Sequence, residues 1–420
     1  MHETPHSERA TSIRLTMTIF GAQSFVAASQ IAILTLLAIM AVELSGRESL
    51  TGLPATMLTT GRALTALPIG YFMGRFGRRL GLGVSYGTMG IGALLGVLAI
   101  VQGWFWLLLI SSAVIGAGRA GAEQSRFVAG DLFPERERAR WIGVVVFAGT
   151  LGSVLGPFLI VPGAMLAARF GIVEDAGPWL IALIFYALAT LVAFVFLYPE
   201  PMAVARRISE HEKRKNDDPA VAPDESVRPV RALLRLPDVQ LAIASMLISQ
   251  AVMVALMTIT PLHMDHNSMG KESVSIVISA HTFGMFGLSW LTGYLIDRFG
   301  RIPMMVVAAI TLIISAIIAP LSATMPFLIA GLFLLGLGWN FGFIAGSSLL
   351  SDALRGEERA RMQGVNDMLV AAAAAVGSLT TGMFYSLGGY VTVAGVGIVV
   401  TLLFAWLIWL LAPQPTLKAA

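Results

Sequence analysis

The residues best suited to chemistry form two i, i+4 pairs, Met253 with Met257 and His281 with Met285. A helix turns once every ~3.6 residues, so each pair shares one face, one turn apart. Two thioethers facing an imidazole and a third thioether make a soft donor set, which suits monovalent copper and which hard cations shun. Met253 and His281 each lie about nine residues from the outer end of an apolar segment, so at ~1.5 Å per residue both sit ~14 Å deep. The peptide from Thr260 to Met269 adds His263, Met264 and His266, which could collect metal at the outer mouth. Methionine is also an adaptable core filler, and His281 could equally carry a proton or tie two helices together. An ionisable group inside a membrane helix nonetheless marks a functional position by default.

A second polar set points elsewhere. Arg62, Arg119 and Glu123 fall inside apolar segments, where a charge is costly and faces a cavity or a partner. Arg119 and Glu123 are i, i+4 and can simply neutralise each other. Alternatively, Glu123 is a proton site held ionised by Arg119, with Arg62 attracting a negative group. Gln23 and Gln30 lie one heptad apart, and Asn340 follows Trp339 at the middle of its segment. These side chains can hydrogen-bond an organic ring system or tie helices together.

The elements that position both sets are membrane helices. Of the 420 residues, 56% are hydrophobic and only 13% charged, whereas a soluble domain has about a quarter of its residues charged. The charges cluster between apolar runs of the length that crosses a bilayer as a helix, without the period-2 alternation of a β-barrel. Twelve such segments are predicted near 14–41, 50–73, 80–101, 104–127, 141–166, 178–199, 238–262, 272–296, 303–323, 326–350, 362–386 and 389–411. The expected fold class is an all-α membrane protein of two pseudo-symmetric six-helix bundles, 14–199 and 237–411, joined by a polar linker at 200–236. Tails at 1–13 and 412–420 flank them. With both termini cytoplasmic, only Arg47, Arg169 and Lys271 of the loop bases face outward, in keeping with the positive-inside rule. The first apolar run lacks a small-residue cleavage site after it and reads as a retained helix.

Several classes are excluded. The chain has no cysteine, which removes disulfides, thiolate metal sites and iron–sulfur ligation. It has no G-x-x-x-x-G-K-[ST] loop, so no ATP-driven step is built into it. The basic residues mark membrane sidedness and imply no nucleic-acid partner. No cofactor is expected, copper entering only as a possible transported substrate. The implied partners are the lipid bilayer and a small-molecule or metal-ion substrate, with the protein a monomer in a bacterial-type inner membrane.

The halves repeat. Gly70-Tyr-Phe-Met-Gly-Arg75-Phe-Gly77-Arg78 matches Gly293-Tyr-Leu-Ile-Asp297-Arg298-Phe-Gly300-Arg301, and Asp131 through Gly143, with Glu135 and Arg138, matches Asp352 through Gly364, with Arg359. Gly116-Ala-Gly118 matches Gly336-Leu-Gly338. Like repeats in the same order imply two halves about an axis along the membrane normal. The basic turns and loop acids form ion pairs between helix ends that one orientation of the halves can make and the other break.

These motifs resemble those of the major facilitator superfamily over the whole chain. The resemblance implies secondary transport by alternating access, with Gly70, Arg75, Gly77, Arg78, Asp131, Arg138, Gly293, Asp297, Arg298, Gly300, Arg301, Asp352 and Arg359 as gating residues. Gly74 stands where the pattern has Asp; Asp367 is positioned to supply the missing carboxylate to Arg75 or Arg78. Drug–proton antiporters of the superfamily carry an arginine where Ser112 stands. The run Gly152 to Pro157 resembles half of their second signature, whose closing glycine pair is here Ile160-Val161. The Met and His pairs look like those of the CcoA-like copper importers, which implies Met253, Met257, His281 and Met285 as copper ligands. The same branch includes riboflavin transporters, which leaves uptake of an organic solute, or drug-type efflux, as the alternative.

Overall fold

The computed structural model describes residues 5–47, 50, 52–215, 228–269 and 271–412. The extreme termini and residues 216–227 of the expected linker lie outside them. All regular structure among the described residues is helical, and the chain divides into two compact units.

The first unit comprises Met1–Val227 and, from much later in the chain, Gly356–Ala372. Its helices are α1 (Pro5–Ser45), α2 (Leu53–Phe76), α3 (Arg78–Gln102), α4 (Phe105–Ala122), the short α5 (Ser125–Asp131), α6 (Glu135–Phe158), α7 (Ile160–Arg169), α8 (Gly177–Phe196) and α9 (Pro201–Lys215). The second unit comprises Arg228–Arg355 and Ala373–Ala420. It contains α10 (Val230–Leu233), α11 (Pro237–His266), α12 (Lys271–Thr282), a π-helical turn at Phe283–Gly287, α13 (Ser289–Phe299), α14 (Arg301–Leu321) and α15 (Met325–Asp352). The last helical run, α16 (Gly356–Leu411), begins in the first unit and ends in the second. Its 56 residues would extend ~84 Å as one helix, far beyond a ~30 Å hydrocarbon core. Gly388 and Gly389 break it, Gly389 with φ 67° and ψ −155°, a region only glycine occupies readily.

Among the described residues nine helices are long and apolar enough to cross a membrane, or ten if the bent pair Ile276–Gly287 and Ser289–Phe299 counts as one span. The expected second segment, α2, has the length but is diluted by four threonines and Arg62. Large apolar side chains such as Leu64, Trp106, Phe158, Met165 and Trp409 stand more than two-thirds exposed, the pattern of a surface solvated by lipid tails.

The two units repeat the same packing devices. A Cβ on Gly116 of α4 would lie 1.9 Å from the Leu58 carbonyl oxygen of α2, and one on Gly336 of α15 would lie 2.2 Å from the His281 carbonyl oxygen of α12. Backbone therefore touches backbone at matching places, as small residues permit in membrane bundles. Ser111 Oγ of α4 donates to the Gly92 carbonyl of α3 at 2.8 Å, and Ser315 Oγ of α14 donates to the Gly331 carbonyl of α15 at 2.8 Å. The repeated turns match as well, with Gly77 at φ 97° and Gly300 at φ 96° capping α2 and α13 alike.

Candidate functional site

The first unit gathers five charged side chains around one turn of the helix formed by α4 and α5. The helical backbone continues from α4 into α5 through Glu123 and Gln124, with one tightened turn where the Gln124 amide donates to the Gly121 carbonyl, and side chains also reach carbonyls there. Gln23 Nε2 of α1 donates to the Ala122 carbonyl at 3.1 Å, and Arg126 donates to the Glu123 carbonyl at 2.7 Å. Tyr86 of α3 donates its hydroxyl to Gln23 Oε1 at 3.4 Å.

Glu123 Oε1 accepts from two guanidinium groups, Arg119 Nε at 2.8 Å and Arg62 at 3.1 Å. The i, i+4 pair anticipated between Arg119 and Glu123 therefore forms, and Arg62 joins it from α2. The three side chains are 16–29% exposed, neither sealed in the core nor turned fully outward. Residues 119, 123 and 126 follow i, i+4, i+7 spacing, so Arg126 belongs to the same face. It donates to Asp367 Oδ1 of α16 at 2.6 Å, and its guanidinium stands 4.4 Å from the Phe127 ring. Asn366 Nδ2 also donates to Asp367 Oδ1. Gln30 lies buried on α1, in the same unit.

The pairing expected for Asp367 is corrected here. Its carboxylate serves Arg126, not Arg75 or Arg78. Arg75 is exposed beside the ring of Phe76, and Arg298 repeats that contact with Phe299. Arg78 instead donates to Asp131 at 3.0 Å, Gln363 at 2.6 Å and Gln124 at 3.3 Å, and Arg359 donates to the other Asp131 oxygen at 2.8 Å. Arg138 donates to the Gly130 carbonyl. In the second unit Arg301 pairs with Asp352 at 2.9 Å and with Asp297 at 3.3 Å, the aspartate whose first-copy equivalent is Gly74. Gly70 meets the 356–372 stretch so closely that a Cβ there would lie 2.7 Å from the Ala360 carbonyl oxygen. Glu200, unflagged by its sequence context, caps α3 by accepting from the backbone amides of Arg78 and Arg79.

The second unit places the soft donors on α11, α12 and the π-helical turn. His281 is 2% exposed. Its Nδ1 lies 3.0 Å from the Leu332 carbonyl of α15, so Nδ1 carries the proton and Nε2 is left as a buried acceptor without a partner. Met253 is buried, while Met257 and Met285 are partly exposed. Both α11 and α12 pack on α15. Among the described residues no three His, Asp or Glu side chains gather around one point. The outer residues meet aromatic partners on α16: His263 stacks on Tyr390 at 4.7 Å, and His266 Nδ1 lies 3.1 Å from the Tyr385 hydroxyl. Met264 is buried. Trp339 Nε1 donates to Gln250 at 2.9 Å, and its ring stacks on Phe343 and meets the edge of Phe286. Asn340 donates to the Met285 carbonyl and to Ser289 Oγ.

Apolar helices of spanning length, a lipid-type surface and ion pairs set among those helices define a multi-pass membrane protein. The chain belongs to the Major Facilitator Superfamily, whose model matches residues 19–276 and 241–420. It is thus a transporter and not an enzyme. It is 33% identical over 401 residues to the MFS-type transporter YdeG of Bacillus subtilis, covering 95% of this chain and 92% of that one. It is 29% identical over 394 residues to the riboflavin transporter RfnT of Brucella anthropi, covering 91% and 92% respectively. The fold is also that of the human organic anion transporter MFSD10, with a TM-score of 0.73 at 17% identity, over 97% of this chain and 100% of the other.

Proposed function

We propose that this protein is a secondary active transporter that carries a small organic solute by alternating access, with the Arg62–Glu123–Arg119 group as its solute or ion-coupling site. The carrying observation is that group itself: two arginines share one carboxylate oxygen, partly open, among the membrane helices. The likeness to a riboflavin transporter supports an organic solute, with riboflavin the first compound to test. In this reading the chain crosses a bacterial inner membrane twelve times with both termini cytoplasmic, α2 and the first part of α16 supplying the crossings beyond the ten that apolar length identifies. It works as a monomer without a bound cofactor. The test is uptake of labelled riboflavin into proteoliposomes under an imposed proton or sodium gradient. Gradient-driven accumulation that Glu123→Gln cuts by about tenfold or more supports the proposal, a loss typical of one essential ionisable group. Uptake indifferent to Glu123→Gln and Arg62→Gln would remove the site assignment.

A second reading, copper import through Met253, Met257, His281 and Met285, is favoured by one observation: His281 Nε2 is a buried, unpartnered acceptor. Copper accumulation abolished by His281→Ala, with riboflavin uptake unchanged, would give that reading precedence.

A further inference from the structure

We infer that the Arg119 guanidinium is the docking point for an anionic group, a carboxylate or phosphate, on the transported solute. The inference rests on the chain being a carrier of organic solutes and names the chemical class of what it carries.

Three features lead there. The first is charge. Arg62 and Arg119 both pair with Glu123, and Arg126 pairs with Asp367. These pairs set three guanidinium groups against two carboxylates. Arg126 and Asp367 make a one-to-one pair at 2.6 Å with both side chains buried, so the surplus positive charge falls on the Arg62–Glu123–Arg119 group. A charge left unbalanced among membrane helices is costly unless a mobile partner completes it.

The second feature is geometry. Arg119 spends its Nε on Glu123, and its two terminal nitrogens have no partner among the described residues. They are also absent from the buried polar atoms, and the side chain is 29% exposed. A guanidinium held by Nε presents its remaining N–H groups as a planar fork, the arrangement that receives a carboxylate or phosphate through two parallel bonds. Because Glu123 fixes the stem, little rotamer freedom remains to be lost on binding.

The third feature separates Arg119 from its neighbours. Arg62 has a buried Nε without a partner and a less exposed side chain, and Arg126 is committed to Asp367 and the Glu123 carbonyl. Of the three arginines Arg119 is the most exposed, and its uncommitted nitrogens are the two terminal ones that make up the fork. Glu123, whose second oxygen is also outside the buried set, is the group the solute anion competes with.

The experiment uses the full chain in lipid nanodiscs and two matched probe pairs: benzoate with benzyl alcohol, and riboflavin 5′-phosphate with riboflavin. Thermal stabilisation and phenylglyoxal labelling of individual arginines are read together. The anionic member of each pair should stabilise the protein more and shield Arg119 from labelling about tenfold, the scale of one bidentate pair, while the neutral member stabilises it less and leaves Arg119 open to labelling. Arg119→Gln should abolish the anion effect, and Arg119→Lys, which keeps the charge but not the fork, should lose most of it. Glu123→Gln should strengthen it by removing the competing carboxylate. Equal effects of the charged and neutral members, or an anion effect that survives Arg119→Gln, would overturn the inference. Proteoliposome flux distinguishes the two levels. Anion protection at Arg119 without gradient-driven uptake of either flavin upholds the anion site and removes the transport reading, whereas uptake without protection does the reverse.

Discussion

The helical stretch formed by α4 and α5 and its repeat partner α15 hold equivalent places in their halves and have opposite polar content. Their likeness lies in packing. Gly116 and Gly336 each bring backbone against backbone, and Asp131 and Asp352 close both on an arginine of the repeated turn. Yet the 220-residue offset that carries Gly116 onto Gly336 carries Arg119 onto Trp339, the 221-residue offset that carries Asp131 onto Asp352 carries Arg126 onto Ser347, and Glu123 meets Phe343 by the first and Ile344 by the second. The first stretch sets its charges around one tightened turn; the second is one 28-residue helix whose Trp339 and Asn340 are tied to Gln250, Met285 and Ser289. Duplication has kept the steric frame and the helix-end ion pairs and let the middle diverge. Function is therefore sought where the copies differ.

The comparison can be broken in four places, ordered by the size of the effect. Asp367→Asn strips the carboxylate from a buried guanidinium and should cost ~3–5 kcal/mol, read as thermal unfolding in detergent. Reversing Arg126 together with Asp367 should recover part of the loss, and reversing Arg75 instead should recover none. Gly116→Ala and Gly336→Ala should each cost ~1–3 kcal/mol by forcing the helices apart. A large cost at one with none at the other would show that the shared frame is not shared. Asn340→Ala, which removes a donor bridging Met285 and Ser289, should cost ~1–2 kcal/mol. Arg119→Gln should change stability least, by no more than ~1 kcal/mol for a partly exposed pair, while abolishing flux of an anionic flavin. A stability loss at Arg119 as large as at Asp367 would make its role structural.

Much of this was legible in the residue order. The duplicated Gly–Arg turns, the loop aspartates and the apolar runs are local patterns, and local patterns survive reading in one dimension. So is the Arg119–Glu123 pair, because i, i+4 spacing on a helix dictates adjacency. What could not be read is the choice among distant partners. Asp367 had several arginines in plausible register, and only the packing of α16 settles it on Arg126, 241 residues away. The i+7 position of Arg126 was an available signal, and with Glu123 three residues earlier it pointed to a third charge on one face. His281 facing Leu332 likewise depends on how α12 meets α15.

The Arg126–Asp367 pair also has a consequence in time. A ribosome delivers Arg126 to the membrane 241 residues before its carboxylate, an interval of roughly 10–50 s at about 5–20 residues per second. Throughout that wait the first unit is missing Gly356–Ala372, and the guanidinium is without its Asp367 carboxylate. Biogenesis thus has a late step, in which the arrival of α16 closes a unit begun at the other end of the message. Nascent chains halted before residue 356 should present that unit to the quality-control proteases with the arginine still waiting.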